Sequence, residues 1–328
     1  MAVLASIFLG FAPMLLFAGI INWLDRYEKE PKILLGGVFT WGAVVAAGGA
    51  FIINTVLGLG IYVITGSETA TELTSGSIIA PVVEEILKGF AVLMVFLLAR
   101  HEFDSILDGM VYAGITALGF AATENAYYIY TYGYLEGGWE GIFTLTFVRV
   151  ILVGWQHPAY TALFGIGLAI ARMNPHWLVK IAAPLVGLGG AIFTHALHNT
   201  LATLASGVGM LLGFFVDWSG WLLLFLFGVA MILREKMWLA EFLKDEITLG
   251  TLTPRQYETA CSSTKSYLAG LTALGSPNFR TTRRFYQVCA ELAHKKRQLA
   301  RLGDEGGNNA TIERLRAELV SLSPGAAA

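Results

Sequence analysis

The sequence predicts an all-α protein, a polytopic membrane helix bundle of about seven spans that is followed by a helical tail. Hydrophobic residues make up 55% of the 328 residues and charged residues only 14%, whereas a soluble domain carries roughly 25% charged residues. The deficit is local, because 24 of the 46 Lys, Arg, Asp and Glu residues follow residue 233. The apolar runs before that point are continuous and lack the alternation of membrane strands, so each run indicates a helix.

Seven stretches are long and apolar enough to cross a bilayer, which takes about 20 residues of helix. They cover residues 2–24, 34–62, 78–99, 106–132, 143–171, 178–206 and 209–233. No Lys or Arg precedes the first apolar run, so we expect a transmembrane helix there rather than a cleavable signal peptide.

The loops between these stretches alternate in positive charge. Lys or Arg occurs in the first, third and fifth loops and throughout the tail, and neither occurs in the second, fourth and sixth loops. Because cytoplasmic loops are enriched in Lys and Arg, this pattern predicts an N-terminus outside the cell and a cytoplasmic C-terminus. An even number of spans would break the alternation, which favours seven.

The chain therefore divides into a membrane domain, residues 1–233, and a cytoplasmic appendage, residues 234–328. The appendage carries mixed charge at helical spacing over residues 235–249, 254–269, 278–302 and 310–321, which is typical of solvated helices. We assign no chemistry to it and expect at most a role in self-association. A net charge of −2 argues against nucleic acid as a partner.

Ionisable and polar side chains interrupt four of the apolar stretches. They are Glu84, Glu85 and Lys88 in the third, Glu124 and Asn125 in the fourth, Arg149 and His157 in the fifth, and His195, His198 and Asn199 in the sixth. Charges inside a span are costly and mark functional sites by default. Glu84, Glu124, His157 and His195 all lie roughly 9–21 Å from the outer ends of their predicted helices, at a rise of 1.5 Å per residue. This shared depth predicts one site in the outer half of the membrane or near its middle.

Spacing along the helices pairs some of these groups. Glu84 and Lys88 are four residues apart and share a face, so we expect the ammonium to hold a carboxylate in its charged form. Glu85 points about 100° away from Glu84. His195 and Asn199 also share a face and offer two hydrogen-bond donors to a developing oxyanion. We interpret Arg149 and His198 as helix–helix hydrogen-bond partners or counter-ions rather than catalysts.

Such a set suits the hydrolysis of an amide, which needs a base for water, charge stabilisation and a proton donor for the leaving amine. Carboxylate and imidazole groups could hold the water themselves, or they could bind Zn²⁺. The sequence contains no His-Glu-X-X-His motif, which excludes a zincin, and the lack of a Gly-X-Ser-X-Gly motif argues against a serine hydrolase.

The same residues resemble the PrsW family, intramembrane proteases related to CAAX prenyl-proteases and bacteriocin-processing enzymes. The resemblance covers residues 13–205 and includes the segment at 25–31, Glu84-Glu85-X-X-Lys88 and Phe120-X-X-X-Glu124-Asn125. It continues with His157 and ends with His195-X-X-X-Asn199. Two departures from the CAAX proteases, Glu124 in place of a His and Lys88 one position before their Arg, fit the PrsW branch.

The resemblance implies a peptidase of the bacterial plasma membrane. Its expected substrate is a membrane-anchored protein, such as an anti-sigma factor, cut on the extracytoplasmic side. It further implies that Glu84 activates water and that His195 and Asn199 stabilise the oxyanion.

The cofactor stays open between none and Zn²⁺. In a glutamate-type mechanism, Glu84 with Glu124 or His157 holds the water without a metal. In a metallo mechanism, some of Glu85, Glu124, His157 and His195 bind Zn²⁺ and Glu84 is the base. The competing functions are a proton- or ion-coupled transporter, since paired Glu, Lys and His also build ion relays, and a relative that binds a partner without catalysis.

Overall fold

The computed structural model describes residues 1–25, 27–204, 208–304 and 306–327, and its described residues form helices and no strand. The α-helices are α1 (Ala2–Leu24), α2 (Lys32–Thr40), α3 (Ala47–Thr65), α4 (Glu68–Thr74), α5 (Ala80–Leu98), α6 (Ile106–Tyr128), α7 (Leu135–Thr146), α8 (Gln156–Arg172), α9 (Trp177–Leu204), α10 (Val208–Phe242), α11 (Lys244–Thr248), α12 (Pro254–Ala260), α13 (Ser263–Thr272), α14 (Phe279–Leu302) and α15 (Asn308–Leu322). The predicted all-α fold class is confirmed.

Short π-helical segments extend several of these helices without a break. They are Trp41–Ala46 between α2 and α3, Ser75–Ile79 before α5, Ile129–Tyr134 after α6, and Phe147–Leu152 after α7. Such segments often occur at functional sites, and two of them here carry residues that contact the site described below.

Five helical segments among the described residues are long and apolar enough to cross a membrane. They are Ala2–Leu24, Lys32–Thr65, Ile106–Arg172, Trp177–Thr203 and Leu211–Thr248. The segment Ile106–Arg172 contains two of the predicted spans, and α5, a further predicted span, carries three charged residues. The count of seven spans therefore stays a prediction.

The chain folds as two compact units. The first comprises Met1–Leu24, Glu30–Arg172 and Leu178–Phe227, and we call it the membrane unit. The second comprises Asp25–Lys29, Met173–Trp177 and Gly228–Ala328. The boundary expected after residue 233 stays a prediction, since the second unit also includes two short segments from before it.

Helix α6 forms the centre of the membrane unit. It begins at a capping box, in which the Ser105 hydroxyl accepts a hydrogen bond from the Asp108 backbone N–H and the Asp108 carboxylate accepts from the Ser105 backbone N–H. Most of its side chains are buried, and Tyr112 and Leu118 are fully so. The other long helices expose large apolar side chains such as Phe215, which suits helices that face lipid.

Two glycines allow α6 and α8 to touch. A Cβ atom added to Gly165 would lie 2.0 Å from the carbonyl oxygen of Gly109, and one added to Gly109 would lie 2.2 Å from the oxygen of Gly165. Small residues at a crossing let two backbones approach in this way. This contact sets the distance between the two helices that carry Glu124 and His157.

The second unit has its own hydrophobic core. It forms around α14 and α15, where Phe285, Leu292 and Leu319 are fully buried. The carboxylate of Glu246 lies 2.8 Å from both Lys296 and Arg316. The charged helices predicted at 278–302 and 310–321 correspond to α14 and α15, and self-association through this unit stays a prediction.

We expect Gly165→Ala to lower the free energy of unfolding by about 1–3 kcal/mol, because an extra methyl group must force the two backbones apart. Gly189→Ala in α9 is the matched control, since an added Cβ there meets nothing within 4 Å. Thermal unfolding in detergent micelles measures both. A Gly165→Ala protein that unfolds at the wild-type temperature or above it would contradict the close crossing.

Candidate active site

Buried and partly buried ionisable side chains from four helices meet inside the membrane unit. Helix α5 supplies Glu84, Glu85 and Lys88, and α6, α8 and α9 supply Glu124, His157 and His195 respectively. The structure thus brings together six of the residues predicted for the site. Exposed fractions of 6% for Glu84, 1% for Glu85 and 2% for His195 place these groups away from the surface.

Glu85 is the most fully bonded of the carboxylates. One oxygen lies 2.5 Å from the Lys88 ammonium and 2.9 Å from His195 Nδ1. The other oxygen accepts a hydrogen bond of 2.8 Å from the Thr161 hydroxyl. The prediction that Lys88 pairs with Glu84 is therefore wrong. The Lys88 ammonium pairs instead with Glu85, which lies three residues before it.

This contact assigns the tautomer of His195. An ionised carboxylate only accepts hydrogen bonds, so Nδ1 carries the proton that it donates to Glu85. The neutral ring then has its lone pair on Nε2, the nitrogen that lies 3.8 Å from Glu84 Oε2. A carboxylate that holds the far nitrogen of an imidazole is the arrangement found behind metal-ligating histidines.

A second carboxylate holds His157 in the same way. Glu124 Oε2 lies 2.9 Å from His157 Nε2 and accepts a hydrogen bond of 2.7 Å from Arg149. Arg149 also donates to the side-chain oxygen of Asn125 at 3.0 Å, which confirms its expected role as a counter-ion between helices. His157 Nδ1 lies 3.4 Å from the Lys88 ammonium.

Glu84 differs from both of these carboxylates. Its Oε2 atom is buried and has no hydrogen-bond partner among the described residues. Glu84, His157 and His195 each offer one ligand atom, and these three atoms lie within 4.8 Å of one another. An unsatisfied buried carboxylate oxygen between two imidazoles is costly unless a ligand completes it.

The charges of the site leave one negative charge in excess. Three carboxylates, those of Glu84, Glu85 and Glu124, face two cations, Lys88 and Arg149, while the two histidines are neutral in the tautomers above. A bound cation or a proton on Glu84 would balance this excess in the buried site.

Asn199 lies in the same helix as His195 but makes a separate contact. Its amide donates a hydrogen bond of 2.8 Å to the carbonyl oxygen of Gly76, in the π-helical segment before α5. This hydrogen bond connects α9 to the segment that directly precedes α5, the helix that carries Glu84.

The sequence interpretation missed a polar cluster around Asp217. Its carboxylate accepts hydrogen bonds from Gln156 at 2.7 Å and from the Tyr160 hydroxyl at 3.0 Å, and it lies 2.6 Å from His198 Nδ1. The expected helix–helix bond of His198 is confirmed. The signal was present, since Asp217 is the single charged residue in the predicted span 209–233.

Comparison with known proteins assigns the sequence to a family. A sequence model described as "PrsW family intramembrane metalloprotease" matches residues 30–232, a range that includes all the residues of the candidate site. The chain belongs to the PrsW family. No solved structure matches the chain.

Three relatives of the family, each named Protease PrsW, are similar over part of the chain. The protein of Geobacillus kaustophilus is 30% identical over 156 residues, which are 48% of this chain and 62% of the relative. The protein of Clostridioides difficile is 32% identical over 124 residues, 38% of this chain and 50% of the relative. The protein of Bacillus subtilis is 29% identical over 176 residues, which are 52% of this chain and 70% of the relative. The matched region thus spans less than two thirds of the length of the first two relatives.

We expect Glu85→Gln to destabilise the protein by about 3–5 kcal/mol, because it leaves the fully buried Lys88 ammonium without its counter-ion. The double variant Glu85→Gln/Lys88→Met removes both charges and should recover much of this loss. Thermal unfolding in micelles measures the two variants against wild type. A single variant as stable as wild type, or a double variant less stable than the single one, would refute the buried ion pair.

Proposed function

We propose that this chain is an intramembrane peptidase that hydrolyses a peptide bond of a membrane-anchored protein. The observation that carries the proposal is a buried oxygen of Glu84 that has no hydrogen-bond partner in the part of the chain that the structure describes and belongs to a cluster with two imidazoles. A purely structural ion-pair network would satisfy that oxygen, whereas a group that binds a metal or activates water must leave it available. Membership of a protease family supports the same chemistry.

The three donors fit a divalent metal ion. Catalytic zinc commonly takes three protein ligands, such as two His and one Glu, and keeps one position open. Glu84, His157 and His195 would hold the ion, a set that differs from the sequence hypothesis by including Glu84 and leaving out Glu85 and Glu124. When bound, the ion would supply a Lewis acid for the scissile carbonyl.

The surrounding residues orient these donors. Glu85 and Glu124 each hold one ring of the histidine pair through its protonated nitrogen. Lys88 and Arg149 keep these carboxylates charged and therefore able to accept hydrogen bonds from the two ring N–H groups. A histidine that is held in this way does not need to reorganise when it binds its ligand.

Without a metal, the same geometry leaves Glu84 as the base. Its free oxygen accepts a proton from the attacking water and passes it to the leaving amine. Asn199 has a second N–H besides the one bonded to Gly76 and would donate it to the oxyanion. The oxyanion role that the resemblance implies for His195 requires an imidazolium, because the neutral tautomer bonded to Glu85 has no proton on Nε2.

We further propose that the substrate is a membrane-anchored protein of the anti-sigma-factor type, cut near the outer half of a bacterial plasma membrane. The alternation of positive charge in the loops supports a cytoplasmic C-terminus. With that orientation, the four helices carry the site in the outer half of the membrane or near its middle.

The test of the peptidase proposal compares new protein N-termini in membranes of host cells that carry wild type or Glu84→Gln. Loss of the base or ligand should reduce membrane-proximal cleavage products at least about 100-fold. Glu72→Gln, which alters an exposed carboxylate, is the matched control and should leave the products unchanged. Identical profiles for wild type and Glu84→Gln, with both proteins inserted, would overturn the proposal and favour ion transport.

The metal assignment predicts about one zinc ion per chain in protein purified without chelators, because a catalytic site with three protein ligands holds one ion. His157→Ala and His195→Ala should lose that zinc, while His101→Ala, which alters an exposed histidine, should retain it. Elemental analysis of the purified proteins measures the content. An active wild-type protein that contains no metal would contradict this assignment and support Glu84 as a metal-free base.

A further inference from the structure

The Asp217 cluster is a second buried polar group in the membrane unit. The Asp217 side chain is only 4% exposed, and its partners Gln156 and Tyr160 lie on α8 while His198 lies on α9. A buried carboxylate without partners would cost several kcal/mol. The three partners of Asp217 offset this cost, and they bond its part of α10 to α8 and α9, the two helices that supply the histidines of the site.

Tyr160 connects this cluster to the candidate active site. Its ring stacks on the ring of His195 with centroids 5.1 Å apart and an interplanar angle of 21°. Its edge also meets the ring of His157 at 6.2 Å and 72°. The hydroxyl at the other end of the ring donates its hydrogen bond to Asp217, and the residue is 6% exposed.

His195 is therefore held from two directions. Glu85 fixes the edge of the imidazole through Nδ1, and the Tyr160 ring limits its tilt by covering one face. A hydrogen bond alone leaves the ring free to rotate about the bond axis, whereas a stacked neighbour removes that freedom. The tilt of the Tyr160 ring in turn depends on the bond from its hydroxyl to Asp217.

We propose that Asp217 and Tyr160 are positioning residues of the active site, which orient the His195 ring through the chain of contacts Asp217–Tyr160–His195. This inference rests on the proposed peptidase function. Active-site groups must be held within about 0.5 Å and 10–20° of their working geometry, and removing outer partners of metal-binding histidines costs about 10–100-fold in activity or metal affinity.

The alternative is that Asp217 only anchors α10. Positioning and anchoring can be tested separately, because the side chains that bond to Asp217 use different oxygens of its carboxylate. Tyr160 bonds to Oδ1, whereas Gln156 and His198 contact Oδ2. Tyr160→Phe therefore removes the positioning bond, keeps the ring and leaves the Oδ2 contacts of α10 in place. Tyr130→Phe is the matched control, since it removes a hydroxyl from a partly buried tyrosine of the membrane unit that lies outside this chain of contacts.

The experiment measures kcat, KM and thermal unfolding for wild type, Tyr130→Phe, Tyr160→Phe, Asp217→Ala and the double variant Tyr160→Phe/Asp217→Ala. The substrate is the purified membrane-anchored protein whose cleavage depends on Glu84. We expect Tyr160→Phe to lower kcat about 10–100-fold with KM unchanged. Its unfolding temperature should fall less than that of Asp217→Ala, because Gln156 and His198 still contact the other carboxylate oxygen. The double variant should be no slower than Asp217→Ala, because both changes remove the bond between the Tyr160 hydroxyl and Asp217.

A Tyr160→Phe protein with wild-type kcat would overturn the inference, and so would losses of kcat in the two single variants that add fully in the double variant. A lower unfolding temperature in Asp217→Ala with unchanged kcat would assign Asp217 to anchoring alone. If wild type shows no cleavage that depends on Glu84, the proposed function fails instead, and the two failures are distinguishable.

Discussion

The candidate site depends on the buried carboxylate of Glu85. It bonds to Lys88 on its own helix, to Thr161 on α8 and to His195 on α9, so one side chain connects three helices. An isolated charge in this position would be prohibitive, because the desolvation cost of a buried ion exceeds any single interaction. The ion pair and the two hydrogen bonds offset that cost together, which makes the arrangement of the three helices and the orientation of His195 consequences of the same contacts.

The same arrangement of a cation, a carboxylate and a histidine occurs twice in the site. Glu85 with Lys88 holds His195, and Glu124 with Arg149 holds His157. In each case a cation keeps a carboxylate charged and the carboxylate accepts a hydrogen bond from one ring N–H, so the other nitrogen of each imidazole keeps its lone pair. In His157 this nitrogen, Nδ1, lies 3.4 Å from the Lys88 ammonium. Glu84 belongs to neither arrangement and is left with the excess negative charge. That asymmetry distinguishes a site prepared for a ligand from a network that only joins helices.

The sequence predicted the all-helical fold, and the residues that come together in the site, better than it predicted how those residues pair with one another. Continuous apolar runs require helices, and charges within them are rare enough to single out Glu84, Glu124, His157 and His195. The partner of Lys88 could not be predicted, because positions three and four residues away are both within reach of a long side chain. Glu85 is the partner of Lys88 because α8 and α9 pack against α5 and contribute further hydrogen bonds to Glu85. The spacing of residues along α5 carries no information about that packing.

The Asp217 cluster was missed for a related reason. A single acidic residue in a long apolar run is a signal that the sequence carries, yet its partners Gln156, Tyr160 and His198 lie on other helices and are ordinary residues in their own segments. Only the fold places a hydroxyl, an amide and an imidazole around that carboxylate. The glycine contact between α6 and α8 is similar, since Gly109 and Gly165 are two among 37 glycines and only the helix crossing distinguishes them.

The most direct test of this account is the protonation of the two histidines. Nitrogen-15 NMR of histidine-labelled protein in micelles, with signals assigned by single His replacements, distinguishes a ring nitrogen that carries a proton from one that does not. The account predicts that His195 is protonated on Nδ1 alone and His157 on Nε2 alone. A His195 ring protonated on Nε2, or a doubly protonated ring at neutral pH, would contradict it, because the nitrogen that faces Glu84 would then have no lone pair to offer.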